Sequence, residues 1–445
     1  MKLKNVFRFM FFAFVIMFAA SSCVKEGPMG IPGPAGTNGT NGKDGADANE
    51  TCKVCHTATK VDLISTQFQF SKHEYGEAAF EESGNTGCTP CHAQEAFKDV
   101  VKRNVPVTFT LNPATGKYTN DYATQTSTAY GELGCSTCHS ALHTTYGTAD
   151  LAFTTVAAVP MTMWAGSQTI DLPADGHKSN LCVKCHQPRP QTNLQNGNVQ
   201  NYASLVANPT VLAFDANNPN ATTNIVRPSY RMHVHYGAVG AIVGGKGGIE
   251  FAGSLPYTSA THATVASCQD CHMGAMVGRS GGHTFSAAGK FDGCSTTGCH
   301  TTPIDAKNPT YWVNPRADIT NLLNQLAAKL TVGGVEIMNR NGDAASNLWY
   351  GITPKNYDGY LNVYDPVNNP NFATYNTSGT FQNSAPSSSW TAEQKAFNLT
   401  LPKLSLTNAQ YAACLNFQLC LREYSLGIHN YQYSKALLTN MIAKL

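Results

Sequence analysis

Apolar residues recur with helical spacing in three segments towards the end of the chain. The first predicts an amphipathic helix over 317–330, with apolar positions at Ala317, Ile319, Leu322, Leu323, Leu326 and Leu330. A second helical pattern runs from Leu406 to Tyr424, where Gly427 closes it, and a third runs from Tyr431 to Leu445. We therefore expect the chain to end in packed helices.

Polar stretches between the apolar segments predict loops. Residues 190–225 are rich in Asn, Pro and Thr and predict a long surface loop, whereas 345–385 predict loops and short strands. Charged residues make up 13% of the 445-residue chain and the formal net charge is +2. No basic field is present to hold nucleic acid, so we expect no nucleic-acid partner.

The first apolar run of the chain is typical of an export signal. Basic residues precede a run from Phe9 to Ala20 that is too short for a comfortable membrane span. Small residues then lead to Cys23, which resembles the lipidated first residue of a bacterial lipoprotein. We expect a signal peptide over 1–22 and lipid attachment at Cys23, with simple secretion as the alternative.

Glycine occupies every third position after the signal, at 27, 30, 33, 36, 39, 42 and 45. This Gly-x-y period is the collagen pattern. Residues 23–50 are therefore interpreted as a lipid anchor followed by an extended stalk. A short triple helix, which would make the protein a trimer, is the alternative.

The residues that carry chemistry are the 15 cysteines and 14 histidines. Five runs read Cys-x-x-Cys-His, the attachment signature of c-type haem. They are Cys52, Cys55 and His56; Cys88, Cys91 and His92; Cys135, Cys138 and His139; Cys182, Cys185 and His186; and Cys268, Cys271 and His272. A sixth run of Cys294, Cys299 and His300 has the same three residues with two more in its loop.

This spacing suits covalent haem because two thiols on one short turn can add to the two vinyl groups of a single porphyrin. The next residue, His, then lies under the iron as its proximal ligand. Zinc would need further ligands for each Cys pair, and neither zinc nor disulfides explains a His after every second Cys. A disulfide remains the alternative for Cys294 and Cys299, whose longer loop could bulge at Gly298.

These motifs make the sequence resemble the multihaem c-type cytochromes over roughly 50–300, with a further segment near His429. The resemblance implies a mainly α and irregular fold with a haem-organised core, little regular secondary structure and C-terminal helices. We expect a six-haem domain over 51–300 and a haem-free region over 301–445 that docks on it through His429.

Eight histidines lie outside the motifs, enough to fill the second axial position of all six irons. The resemblance places distal ligands in contexts such as the His that trails a motif, the His shortly before a motif and the Gly-x-His-Asn segment. The six expected distal ligands are His73, His143, His235, His262, His283 and His429. His177 and His233 are reserves, and Met161, Met163 or Met273 would instead give a His/Met haem.

Two cysteines remain, Cys414 and Cys420, within the second helical segment. Six residues of helix rise about 9 Å, which exceeds the roughly 7 Å Cα separation that a disulfide allows. We expect buried thiols, or else a break in the helix.

The leading functional hypothesis is an electron-transfer protein rather than an enzyme, since an iron with both axial sites filled cannot bind substrate. The alternative is a multihaem reductase of nitrite, hydroxylamine or a sulfur oxyanion, although the Cys-x-x-Cys-Lys motif common in the nitrite type is missing from the sequence. Expected partners are other cytochromes or a quinol-oxidising complex. The expected location is the bacterial outer membrane, facing the periplasm or the cell surface.

Overall fold

The computed structural model describes part of the chain, and Thr51–Leu445 forms one compact unit. The described residues are 60–76, 88–103, 109–112, 117–120, 131–145, 148–164, 166–188, 202–218, 221, 223–226, 228, 232, 234–295, 299–300, 303–332, 335–340, 357–361 and 404–445. The signal, Cys23, the Gly-x-y segment, the first attachment motif, His233 and Gly298 lie outside them, and what the sequence predicts for them stays a prediction.

Helices dominate the regular structure of the described residues. Those shorter than ten residues are α1 (Val61–Gln69), α2 (Lys72–Tyr75), α3 (Thr89–His92), α5 (Cys135–Cys138), α6 (Asn180–Cys185), α7 (Tyr202–Ala207), α8 (Val239–Val243), α9 (Thr261–Val265) and α10 (Cys268–His272). The longer ones are α4 (Gln94–Arg103), α11 (Asn314–Lys329), α12 (Asn408–Arg422) and α13 (Tyr431–Lys444). Short 3-10 turns cover Thr148–Leu151, Thr162–Trp164, Gly282–Thr284 and Asp292–Ser295, and a π-helical turn, Pro309–Val313, precedes α11.

The strands are short and pair only two by two in the described residues. The antiparallel pairs are β1 (Phe109–Asn112) with β2 (Lys117–Asn120), β3 (Val159–Pro160) with β4 (Thr169–Ile170), β5 (Leu212–Phe214) with β10 (Leu406–Thr407), β6 (Thr331–Val332) with β7 (Val335–Glu336), and β8 (Met338–Arg340) with β9 (Tyr357–Leu361). The expectation of a mainly α and irregular fold is confirmed at this coarse level.

The three C-terminal helices predicted from apolar periodicity are confirmed, with boundaries shifted by no more than three residues. Helix α12 begins at a capping box: the Thr407 hydroxyl accepts from the Gln410 backbone N–H, and the Gln410 side chain accepts from the Thr407 N–H. Asn430 caps α13 by accepting from the Tyr433 N–H. Helix α12 is unbroken, and Cys414 and Cys420 are fully buried thiols within it, as expected.

A side-chain core joins these helices to the segment 159–251. Trp164, Phe251, Leu323, Phe417 and Leu437 are among its buried members. The Asn416 side chain bonds both backbone groups of Ile249 across the core, at 2.7 and 2.8 Å. The described residues contain no helix both long and apolar enough to cross a membrane.

The expectation of a surface loop over 190–225 is wrong for its described part. Residues 202–207 form α7 and residues 212–214 form β5, and Leu205, Ala213 and Phe214 are buried. The polar Asn217 and Asn218 lie in a turn that follows β5. The Asn, Pro and Thr residues favoured a loop, but the short apolar runs among them form regular elements that reach the core at Leu205, Ala213 and Phe214.

Candidate functional site

Four of the Cys-x-x-Cys-His motifs lie on short helices, α3, α5, α6 and α10. A helical turn places side chains three residues apart on one face, so the two sulfurs of each motif lie on the same side. In three of them the His N–H donates to the carbonyl of the first Cys, with N···O distances of 3.1 Å for His92, 3.0 Å for His139 and 2.9 Å for His186.

The first motif is the one Cys-x-x-Cys-His run that lies outside the described residues. Its members are Cys52, Cys55 and His56. The attachment of haem by Cys52 and Cys55, and the binding of its iron by His56, therefore stay predictions from the sequence. The described part of the chain accounts for five of the six expected attachment sites, and the arguments below rest on those five.

The longer sixth motif closes in the same way as the short ones. The His300 N–H donates to the Cys294 carbonyl at 3.1 Å, in spite of the two additional residues between them. The first Cys and the His therefore keep the relation found in the short motifs. Neither Cys294 nor Cys299 is disulfide-bonded.

Four motif histidines each face a histidine from another part of the chain. The ring centroids are 6.1 Å apart for His186 and His73, and 6.3 Å apart for His92 and His235. They are 5.9 Å apart for His300 and His262, and 6.3 Å apart for His272 and His429. The second histidine of every pair is one of the six expected distal ligands.

This spacing fits two imidazoles that bind one metal ion from opposite sides. A metal–nitrogen bond of about 2.0 Å on each side, extended to the middle of each ring, puts the two centroids about 6 Å apart. Rings in direct contact have centroids about 4.5–7 Å apart, so what favours a shared metal ion is the repeated pairing of a motif histidine with a non-motif histidine at this spacing. The residues present therefore fit the axial ligation of a haem iron. Within the described residues no group of three or more His, Cys, Asp and Glu side chains is arranged to hold a metal ion.

Backbone carbonyls orient several of these rings. The Nδ1 atoms of His139, His186 and His272 lie 2.9, 3.2 and 2.8 Å from the carbonyl oxygens of Leu151, Gly237 and Phe285. The Nδ1 of His262 lies 2.8 Å from the Ile428 oxygen. A carbonyl oxygen only accepts, so Nδ1 carries the proton and Nε2 keeps the lone pair that a metal ion needs.

Burial favours the neutral form of most of these imidazoles, which is the form that binds a metal. Desolvation, with smaller contributions from His186 and His272, lowers the pKa of His73 to about 4. Burial is also the main cause that lowers the pKa of His186, His272 and His300.

His429 differs because its partner is a carboxylate. Its Nδ1 donates to the Glu423 Oε2 at 2.6 Å, and the Glu423 side chain is fully buried. Burial lowers the pKa of His429, but the hydrogen bond and the charge of Glu423 outweigh it and the pKa is raised. The pKa of Glu423 is lowered, because hydrogen bonds from His429, Ser425 and Gly427 outweigh the effect of burial.

The attachment turns lie close to one another. The Cys91 thiol donates to the Lys184 carbonyl oxygen at 3.8 Å. The Cys268 N–H donates at 3.0 Å to the hydroxyl of Ser179, the residue before α6. The motifs that begin at Cys88, Cys182 and Cys268 are thus neighbours in space, in that order.

The remaining expected ligands have different surroundings. His283 lies close enough to His139 for that imidazole to lower its pKa, after burial as the main cause. His143 is exposed, with a φ of 62°, in the turn after α5, and no described motif histidine faces it among the ring pairs above. His177 is exposed and hydrogen-bonded to Asp171 at 2.6 Å. Met161 and Met163 are buried in the side-chain core.

Two contributors were missed by sequence reasoning, Glu423 and Phe285. The Phe285 ring packs edge-on against His73 at 4.8 Å and against His283 at 5.8 Å. Gln67 holds the same turn by accepting from the His283 N–H at 2.9 Å. Glu423 could have been noticed as the one acidic residue in the apolar stretch from 406 to 429.

Comparison with models of known protein families, with curated proteins and with solved structures gives no match.

Proposed function

We propose that this chain is a multihaem c-type cytochrome that carries electrons along six covalent haems, most of them with two histidine ligands. The observation that carries the proposal is the set of four His pairs across a gap of 5.9–6.3 Å. Each pair joins the His of an attachment motif to a distant histidine, and this pairing recurs in four of the five motifs among the described residues. Covalent haem at these positions supplies iron that cycles between the ferric and ferrous states.

The contacts between motifs support a path for the electrons. Motif 88–92 borders motif 182–186 where the Cys91 thiol donates to the Lys184 carbonyl, and motif 268–272 borders the start of α6 where the Cys268 N–H donates to the Ser179 hydroxyl. Motif 294–300 follows, since the turn Asp292–Ser295 contacts α10. Motif 135–139 is joined to α6 through 154–156: the Thr154 N–H donates to the Cys138 carbonyl, and the Asn180 side chain donates to the Val156 carbonyl. We propose a row of four haems with a branch at motif 182–186.

Paired imidazoles favour electron transfer over catalysis. A substrate would need the free axial position of an iron bound by a motif histidine. In the four pairs that position would be taken by the facing histidine: His73, His235, His262 or His429. Backbone carbonyls that accept from Nδ1 hold three of the paired rings, those of His186, His262 and His272. Ligands that stay in place in both oxidation states keep structural change on electron transfer small.

The cellular setting of the proposal rests on the sequence. We propose a bacterial lipoprotein attached to the outer membrane through Cys23, with the Gly-x-y segment as a stalk and other cytochromes or a quinol-oxidising complex as redox partners. A triple helix formed by the Gly-x-y segments of three chains would make it a trimer.

An EPR spectrum of the oxidised protein, together with a nitrite and hydroxylamine reduction assay, tests the function. The proposal predicts low-spin ferric signals alone, no binding of nitrite and no turnover. Dithionite-reduced protein should pass its electrons to an oxidised cytochrome c. A high-spin haem that binds and reduces nitrite would support the reductase instead.

A further inference from the structure

The haem of motif 268–272 has an environment unlike that of the others. Its motif histidine, His272, is held by the Phe285 carbonyl, but its facing histidine, His429, is held by the carboxylate of Glu423. The Nδ1 partners of His139, His186 and His262 are neutral backbone carbonyls. In this pair a negative charge therefore lies one hydrogen bond away from a ligand, whereas neutral carbonyls hold His186 and His262 of two other pairs.

The turn between α12 and α13 fixes Glu423 in this place. Its carboxylate accepts from the Ser425 hydroxyl at 2.6 Å, from the Gly427 N–H at 3.0 Å and from His429 Nδ1 at 2.6 Å. Ser425 in turn accepts from the His429 N–H at 3.0 Å. With a side chain that is fully buried, the carboxylate has little freedom to turn away from the ring.

A buried carboxylate on a ligand histidine changes the metal in two ways. The hydrogen bond makes the imidazole a stronger electron donor, which stabilises ferric iron over ferrous iron. The charge itself favours the state with the higher positive charge on the iron, and because the Glu423 side chain is fully buried, solvent screens it weakly. Both effects lower the reduction potential of the one-electron couple.

We propose that Glu423 is a positioning residue that holds His429 towards His272 and gives the haem of Cys268 and Cys271 a lower potential than the haems of the His73–His186 and His262–His300 pairs. The inference rests on the proposed function. Reduction adds one electron to ferric iron, taken from a neighbouring haem of the row or, in the test below, from dithionite.

The angle between its two rings distinguishes this pair in an EPR spectrum. The rings of His272 and His429 are inclined by 20°, whereas the other three pairs are inclined by 74–88°. The angle between two axial imidazoles determines the energy difference between the iron d orbitals that interact with their π systems. One near-parallel pair should therefore give a rhombic low-spin EPR signal, distinct from the strongly anisotropic signals of near-perpendicular pairs.

An EPR-monitored potentiometric titration of the wild type with dithionite is the first test. The rhombic signal should disappear at a lower potential than the strongly anisotropic signals of the near-perpendicular pairs. The proposal is wrong if that signal disappears first or together with the others. This arm needs no variant, so it decides the question even where a substitution prevents haem attachment.

Variants then test the role of the carboxylate. Glu423→Gln should change the equilibrium constant for reduction of one haem by tenfold or more, about 59 mV upward for a one-electron couple. Glu423→Asp should restore part of the shift. Asp171→Asn removes a carboxylate from an exposed His177 at the same 2.6 Å and should leave every potential unchanged.

The outcomes separate the inference from the function on which it rests. Unchanged potentials in Glu423→Gln with all haems attached would overturn the inference and leave the cytochrome proposal standing. A new high-spin haem in Glu423→Gln would support the positioning role, since His429 would then have left the iron. A wild-type protein without covalent haem would overturn both.

Discussion

His73 and His186 face each other with their ring centroids 6.1 Å apart, although His73 precedes the second Cys-x-x-Cys-His motif and His186 ends the fourth. The pair links α2 to the turn after α6. In the proposed cytochrome one haem iron would bind both imidazoles. Ligation of that haem would then also fix the packing of two distant parts of the chain.

Removal of His73 should open one axial position. In His73→Ala we expect one low-spin signal of the near-perpendicular type to be replaced by one high-spin haem, because the pair is inclined by 78°. The new site should bind cyanide or CO. EPR and optical titration with these ligands measure the change.

His177→Ala is the matched control for that experiment. His177 is bound to Asp171 at the surface and faces none of the described motif histidines in a ring pair. The numbers of low-spin and high-spin haems in His177→Ala should equal those of the wild type. A new high-spin haem in this variant would instead place His177 among the ligands.

A second prediction concerns the turn that presents His429. Gly427 has a φ of 93°, and a Cβ there would lie 2.7 Å from Ile319 Cγ1. Gly427→Ala should therefore displace the turn and weaken ligation by His429. It should lower the free energy of unfolding by more than about 1–2 kcal/mol, which is the cost of the left-handed conformation alone. Gly289→Ala is the control, since Gly289 has a φ of 67° and open space around it. Denaturant unfolding and EPR of both variants measure the difference, and equal costs would contradict the account.

A third prediction uses the pH dependence of a contact between α11 and α13. Asp318 accepts from the Tyr431 hydroxyl at 2.5 Å and from Lys435 Nζ at 2.9 Å. Burial raises the pKa of Asp318, but these two partners outweigh it and the pKa is lowered. Its contribution is therefore present above the pKa of an unfolded Asp, about 3.9, and is lost as the pH falls below that value.

Asp318→Asn should cost about 0.2–1 kcal/mol at neutral pH, the range of partly exposed ion pairs. The difference from the wild type should shrink towards zero in acid, where Asp318 of the wild type is itself protonated. Denaturant unfolding of the variant and the wild type, at neutral pH and in acid, measures this difference in stability. A difference that is equal or larger in acid would show that the contact does not depend on the charge.

A fourth prediction concerns Cys23, which lies outside the described residues. Lipidation there would hold the protein at a membrane through its acyl chains. Cys23→Ser should release the protein into the soluble fraction while its haem content stays the same. Retention of the variant in the membrane fraction would exclude the lipid anchor.

The sequence predicts the chemistry of the site better than its assembly. The attachment motifs are local, so their residues and spacing can be read directly, and the three C-terminal helices follow from apolar periodicity. Which histidine faces which motif depends on contacts between distant segments, such as His92 with His235, that no local pattern encodes.

Two other features escaped sequence reasoning for physical reasons. Glu423 stands at the end of α12, where a charged residue is ordinarily solvated, and only the following turn brings His429 back onto its carboxylate. Residues 211–214 form a short apolar run, which periodicity alone does not assign to a strand or a helix. Only pairing with the distant β10 makes it the strand that buries Ala213 and Phe214.

The central claim, six covalent haems held by six motifs of two Cys and one His, is tested most directly by the intact mass of the mature protein. The account predicts the mass of the processed polypeptide plus six haems, including one at Cys52 and Cys55 and one at the long motif of Cys294 and Cys299. A mass with five haems would contradict one of these assignments, and peptide mapping would show which. A mass without covalent haem would contradict the account as a whole.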